Sequence, residues 1–149
     1  MTDNSSEQFL ESILKAKASK DWEAVSSLIP YFKYLGMEVH ETDNKFTCRL
    51  PQEKKFTGNP TLPALHGGVV GAFLESTALV HLLLTQEITQ LPKIITFTVD
   101  YLRSAKVEEC FAEAVITKPG RRVANMRVRA WQKDRNKPIA TANANFLVS

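Results

Sequence analysis

Cysteine and histidine are both scarce in this sequence. Cys48 and Cys110 each stand alone inside an apolar run, and the three histidines are His40, His66 and His81. With no CxxC pair and no histidine at metal-ligand spacing, neither a disulfide framework nor a metal site is expected, and both cysteines read as buried thiols in a reducing compartment. Nothing makes a Ser-His-Asp or Cys-His arrangement. Long apolar runs are also few: the one that exists is shorter than the ~20 residues a membrane span requires and contains Glu75. The N-terminal segment MTDNSSEQFLESILKAKASKDWE is charged throughout, which argues against a secretory signal. A soluble, cytoplasmic protein is the expectation.

What is present fits one ordinary globular domain. The chain has 149 residues, 44% hydrophobic and 23% charged, with a net charge of +3; disorder would call for fewer apolar residues and more net charge. The charge is uneven, with ten Lys/Arg against four Asp/Glu after Leu102. Such an excess suits a phosphorylated small molecule, nucleic acid or an anionic surface, and charge does not choose among them.

Phe9, Leu10, Ile13, Leu14 and Ala18 recur at helical spacing, with Ser5 or Ser6 as a candidate cap, and a second short helix follows from Asp21 to Leu28. Pro30 is expected to end it. From Lys33 the period becomes two: Leu35, Met37 and Val39 alternate with polar residues, Thr42-Asp43-Asn44 turns the chain, and Phe46, Cys48 and Leu50 alternate again, a β-hairpin. The stretch 51–64, with three prolines and a glycine, reads as a loop. After a long central helix come four β-rich runs, 94–102, 107–117, 123–132 and 139–148, joined by three antiparallel connections. An apolar helix needs a sheet to bury itself against, so the pattern is α+β: an antiparallel sheet wrapped around one central helix, with extra N-terminal helices over 1–29 and the main domain over 30–149.

The central stretch, Leu65 to Leu84, carries the chemistry. On a helical wheel Glu75 shares a strip with Gly68, Gly71, Ala78 and Leu82. An ionisable group in a helix otherwise apolar all round is not kept there cheaply. The other reading of Glu75 is a buried carboxylate paired with an arginine, and of Gly67-Gly68 a tight turn.

Leu65-His66-Gly67-Gly68-Val69, Glu75 nine residues after the histidine, the strand Thr96-Phe97-Thr98-Val99-Asp100-Tyr101-Leu102-Arg103, and then Gly120-Arg121 together resemble the hotdog-fold acyl-CoA thioesterases of the PaaI-like, phenylacetate-degradation type. The resemblance covers roughly Ile29 to Ser149. It implies a sheet curled around the helix, a homodimer joined edge to edge and commonly a dimer of dimers, and active sites at the dimer interface. It also implies hydrolysis of an acyl-CoA, with no cofactor beyond the coenzyme A of the substrate. By matching positions, Glu75 would be base or nucleophile and the Gly68 N–H the oxyanion donor, supported by His66. Asn59 falls where the family often has an asparagine that orients the nucleophile, but seven residues separate it from His66 where six are usual; the competing role is loop geometry.

The chemistry is physically consistent. The first N–H groups of a helix lack intrahelical partners and carry the positive end of its dipole, so they can face a thioester oxygen. Gly67 admits a ligand close to the backbone. Ser76 and Thr77 either touch the acyl group or bond back to the helix. Lys118, Arg121 and Arg122, with Arg103 expected nearby, suit coenzyme A phosphates, or form a solvated turn. No aromatics interleave with them, so nucleic acid is not expected. Two other functions are kept: a non-catalytic acyl-CoA-binding protein, and a dehydratase, which would want a histidine and an acid placed for α,β-elimination.

Overall fold

The computed structural model of the protein describes residues 4–149. Three helices lead the chain: α1 (Asn4–Ala18), α2 (Trp22–Leu28) and α3 (Pro30–Leu35). Ser5 and Ser6 lie inside α1 rather than capping it, and Ile13 and Ala16 are its buried edge. The Asp21 carboxylate caps α2 by accepting the Ala24 N–H at 3.0 Å. Helix α2 stops before Pro30, as expected, but Pro30 also begins a further helix, because its fixed φ and missing N–H suit the first helical position. Leu35, expected on a strand, is therefore the last residue of α3, which closes on Gly36 in the left-handed conformation at φ 66.

Strands β1 (Glu38–Thr42) and β2 (Lys45–Leu50) form the expected hairpin. Asp43 and Asn44 both take positive φ at its turn, the conformation that matches strand twist in two-residue hairpins. The stretch 51–64 is more ordered than expected. It holds a 3-10 turn at Lys54–Phe56, which buries Phe56, and a short strand β3 (Thr57–Asn59) paired antiparallel with β4 (Ala64–Leu65). Helix α4 (Gly67–Thr85) follows, then β5 (Lys93–Tyr101), β6 (Cys110–Pro119), β7 (Val123–Trp131) and β8 (Ala140–Leu147).

The main sheet has six strands in the order β1-β2-β6-β7-β8-β5. Strands β5 and β6 are consecutive in sequence but not neighbours: β5 pairs with β8 at one edge, and β6 pairs with β2 and β7. The three expected antiparallel connections are thus two, β6–β7 and β7–β8, and the segment 102–109 carries the chain across the sheet. Alternation alone assigns faces, not neighbours.

Strands β2, β5, β6, β7 and β8 turn one face to α4, and β1 lies against α2. On β6, β7 and β8 that face is built from Ala112, Ala114, Ala124, Ala130, Ala140, Ala142 and Ala144, all buried. Their small side chains leave room for Phe73, Leu74, Val80 and Leu82 of the helix, each no more than 1% exposed. A hydrophobic helix 19 residues long could by composition cross a membrane; here the sheet takes the place of lipid. The N-terminal helices close one flank, with Trp22 edge-on to Phe46 at 5.2 Å and the Lys17 ammonium donating to the Gln86 carbonyl at the end of α4 at 2.9 Å.

Candidate active site

Backbone contacts fix the start of α4. The His66 N–H donates to Phe56 O at 2.8 Å and the Leu65 N–H to Ala105 O at 2.9 Å. Strand β3 passes so close that a Cβ on Gly58 would lie 2.6 Å from the Cα of His66. His66 is the N-cap. Its carbonyl accepts the N–H groups of Val69 and Val70 at 3.0 and 3.2 Å, and its Nδ1 accepts that of Gly68 at 2.9 Å. The imidazole fills the role more often taken by Ser or Asp, and an accepting Nδ1 puts the ring proton on Nε2. Among the described residues the Gly67 N–H has no acceptor. His66 and Gly68 are therefore partners as the resemblance implies, but the Gly68 N–H is engaged by the imidazole in the free chain.

The open strip of α4 differs from the one read on the wheel. Gly71, Ala78 and Leu82 are buried, because β5 covers that side: ideal Cβ positions on Gly71 would sit 3.4 Å from the Tyr101 hydroxyl and 3.9 Å from Val99. Besides Gly67, Val69, His81 and Thr85, the residues of α4 that keep solvent access are Gly68, Ala72, Glu75 and Leu79. The spacing of these last four, by four, three and four, makes one line along the helix. Glu75 stands in the middle of this line, half-buried, with no hydrogen-bond or ion-pair partner among the described residues. The arginine partner of the alternative reading is not there.

Tyr101 is a residue that the motif reading did not single out. Its hydroxyl donates to Gly67 O at 2.7 Å and its ring lies over Gly67. The available signal was the alternation of β5, which places Tyr101 on the helix-facing side with Phe97 and Val99. Gly67, Val70, Tyr101, Arg103 and Ile139 border a cavity of about 340 Å³ at the helix start.

Other expected residues are distributed differently. The Asn59 carboxamide oxygen accepts from the Thr61 N–H at 3.0 Å and its hydroxyl at 2.6 Å, so it holds a turn. Thr77 is buried and donates to Phe73 O at 2.8 Å, the back-bonding role; Ser76 is buried beside it in the helix. Lys118, Arg121 and Arg122 are exposed at the β6–β7 turn. Arg103 is not near them. Register pairs Tyr101 with Ala140 and Lys93 with Leu147, which faces Val123, so Arg103 and the basic turn lie at opposite ends of the sheet, about 26 Å apart at 3.3 Å per residue. The expected nearness of Arg103 to that turn is not found, because strand direction separates them.

The remaining histidines are outside this arrangement. His40 is exposed, 3.4 Å from Glu38. His81 is half-buried with its Nδ1 unpaired among the described residues, and burial pushes its pKa down. Burial also pushes the Cys48 thiol up to about 12 and the Cys110 thiol to about 11. Among the described residues no group of three or more His, Cys, Asp or Glu is placed to share a metal ion.

Comparison with known proteins agrees with this architecture. The acyl-CoA thioesterase N-terminal domain family matches residues 58–147, more than half of the chain. No curated protein matches. A crystal structure of a Chromobacterium violaceum protein is 36% identical, with a TM-score of 0.79 over 93% of this chain and 97% of that one. A phenylacetic acid degradation-related protein from Ralstonia eutropha is similar at 23% identity and TM-score 0.71, covering 80% of this chain and 89% of its own. A Bacillus halodurans protein crystallised with CoA is similar in fold, at 19% identity and TM-score 0.70, over 99% of this chain and 96% of that one. The six-stranded sheet around α4, the His66-capped helix start and the extent of the family match lead to one conclusion: the chain belongs to the hotdog-fold acyl-CoA thioesterases.

Proposed function

We propose that the protein hydrolyses an acyl-CoA to the free acid and coenzyme A in a homodimer, with Glu75 from one subunit acting on a thioester held at the α4 start of the other. The observation that carries this reading is Glu75 itself, an unpartnered carboxylate in the open line of an otherwise apolar helix. A group with no structural partner at such a position is a candidate for chemistry. Seven residues separate it from Gly68, about 10 Å along the helix, too far for both to reach one carbonyl carbon in the same chain.

A second subunit resolves that separation. Strand β5 is a nine-residue edge with Ile94, Ile95, Tyr101 and Leu102 exposed, the sort of open edge that natural proteins cover or pair. Antiparallel pairing of two β5 strands would set the two α4 helices side by side in opposite directions. The same operation would bring the Lys118, Arg121 and Arg122 turn of one subunit toward the Arg103 end of the other, where the phosphates of coenzyme A could be held.

In the reaction the thioester oxygen takes the free Gly67 N–H and displaces Nδ1 of His66 from the Gly68 N–H. Negative charge developing on that oxygen is stabilised by these donors and the helix dipole. Glu75 either takes a proton from water, whose oxygen bonds to the carbonyl carbon, or attacks that carbon itself. The C–S bond then breaks and the sulfur leaves as coenzyme A thiolate; on the first route it takes back the proton held by Glu75, and on the second it is protonated by solvent while water opens the acyl–Glu75 anhydride to release the acid and restore the carboxylate.

Free-thiol release over short, long and aromatic acyl-CoAs tests the reading. Wild type is expected to turn over and folded Glu75→Ala is not; unchanged turnover in that variant contradicts the assignment. Tight binding without turnover across the panel would make the protein an acyl-CoA-binding module. Single turnover in ¹⁸O-water bears on the two routes for Glu75: direct attack by water puts label in the acid product alone, whereas label in the Glu75 carboxylate requires an anhydride that water opens at the Glu75 carbonyl.

A further inference from the structure

Beyond Glu75 the open line of α4 leads to a second and larger space. Leu79 lies one turn further on, about 6 Å, and forms part of the wall of a cavity of about 910 Å³. Of the sheet only Lys93, the first residue of β5, borders it, and the opposite wall is helical. It comes from Phe9 and Leu10 of α1 and from Leu28 and Ile29 at the α2–α3 junction, with Leu91 of the α4–β5 connector closing a side. These helices are held in place independently of any occupant: Lys17 ties α1 to the end of α4, Ile13, Ala16 and Val25 are buried, and Trp22 packs on Phe46. Phe9 and Leu10 remain only half-buried on the side of α1 that faces the cavity. Polar residues of α1 and of the connector also border this space, but its exposed lining is mainly apolar, which suits an apolar ligand.

We propose that the N-terminal helices form the chamber for the acyl group, and that the substrate class is an unbranched acyl chain long enough to pass Leu79. The inference rests on the acyl-CoA reading of the Glu75 site. With the thioester carbonyl at Glu75, an acyl group that runs along α4 away from Gly68 meets Leu79 and then the chamber. The position of the chamber selects reach as well as volume. A two- or three-carbon acyl group at Glu75 does not span a helical turn of about 6 Å, and a wide, rigid acyl group has to pass the Leu79 side chain to enter. A thin chain satisfies both conditions, and about 910 Å³ lies toward the upper end of the ~300–1,000 Å³ of ordinary ligand pockets. The N-terminal helices thereby become the specificity element of the enzyme.

S-alkyl-CoA thioethers, which have no hydrolysable carbonyl, test the chamber apart from turnover. Titration calorimetry with the full chain and butyl, octyl, dodecyl and hexadecyl thioethers is expected to show affinity rising about two- to fourfold per methylene once the chain enters the chamber, at least about a hundredfold from butyl to dodecyl. Leu10→Trp, which fills the chamber from α1, is expected to compress the dodecyl-to-butyl ratio below about tenfold, with circular dichroism matching wild type; Leu28→Phe serves if Leu10→Trp does not fold. Thioethers that bind with no dependence on length overturn the chamber and leave the thioesterase reading intact. An unchanged ratio in a folded, chamber-filled variant overturns it equally. Failure of every thioether to bind overturns the acyl-CoA reading, and the chamber with it.

Discussion

The hydroxyl of Tyr101, the last residue of β5, donates to the carbonyl of Gly67, the first residue of α4, at 2.7 Å. The sheet edge and the helix start are thereby joined at the place where a thioester oxygen would bind. Tyr101→Phe keeps the ring over Gly67 but removes the bond. The expected loss is about 0.5–1.5 kcal/mol in urea denaturation, together with a lower kcat on acyl-CoA as the helix start loosens. An unchanged midpoint and unchanged kcat would show the contact to be incidental.

His66 is expected to separate capping from chemistry. Replacing an N-cap with alanine lowers stability by about 0.5–2 kcal/mol, and asparagine is among the best caps. His66→Ala should therefore shift the denaturation midpoint down while His66→Asn stays near wild type. If the two variants are equally unstable, the Nδ1 bond to Gly68 is not what holds the helix start.

The β5 edge is expected to be where subunits meet. Ile95 is 52% exposed at the bulge in the β5–β8 ladder, and Ile95→Lys with Leu102→Lys places charge along that edge. Sedimentation is expected to give a dimer or larger for wild type and a monomer for the double variant, which loses turnover although Glu75, His66 and Gly68 are untouched. An active monomer would contradict the shared site.

Stability is expected to depend on pH through His81. Burial holds its folded pKa below the ordinary value of 6.5, so the unfolded chain takes up the proton first as pH falls. The contribution is fully present above about pH 6.5 and is lost as pH drops toward the lower folded value. Thermal melts at pH 7.5 and 5.5 should differ in wild type, and differ less in His81→Leu. Equal pH sensitivity in the two would place the effect elsewhere.

The thiols are expected to be inert. With pKa values raised by burial to about 12 and about 11, Cys48 and Cys110 carry little thiolate at pH 8. Ellman's reagent should react slowly with the native protein and with two thiols after denaturation; rapid native reaction would mean that the sheet opens around α4.

Periodicity made most of the elements legible. The two-residue alternation of β7 and β8 gave both their extent and their buried alanine face, since successive side chains of a strand must point to opposite sides. Pro30 marked the end of α2 but not the start of α3, because proline can also begin a helix when the following residues can bury an apolar side; Phe32 and Leu35 do. The wheel of α4 misled. Gly68 and Gly71 look alike in sequence, but Tyr101, Val99 and Phe97 cover only Gly71.

By itself, then, the sequence determined the local patterns: the apolar central helix with a single acid, the His-Gly-Gly start and the alternating strands, all consequences of side-chain chemistry repeated at a fixed backbone period. Tertiary structure alone decided which strands are neighbours, which line of α4 stays open, and that Arg103 and the Lys118–Arg122 turn lie at opposite ends of the sheet. It also turned the N-terminal helices from an unassigned extension into the wall of a cavity beside Leu79. Those outcomes depend on contacts between residues far apart in the chain, whose pairing is chosen by packing of the whole core and not by any local period.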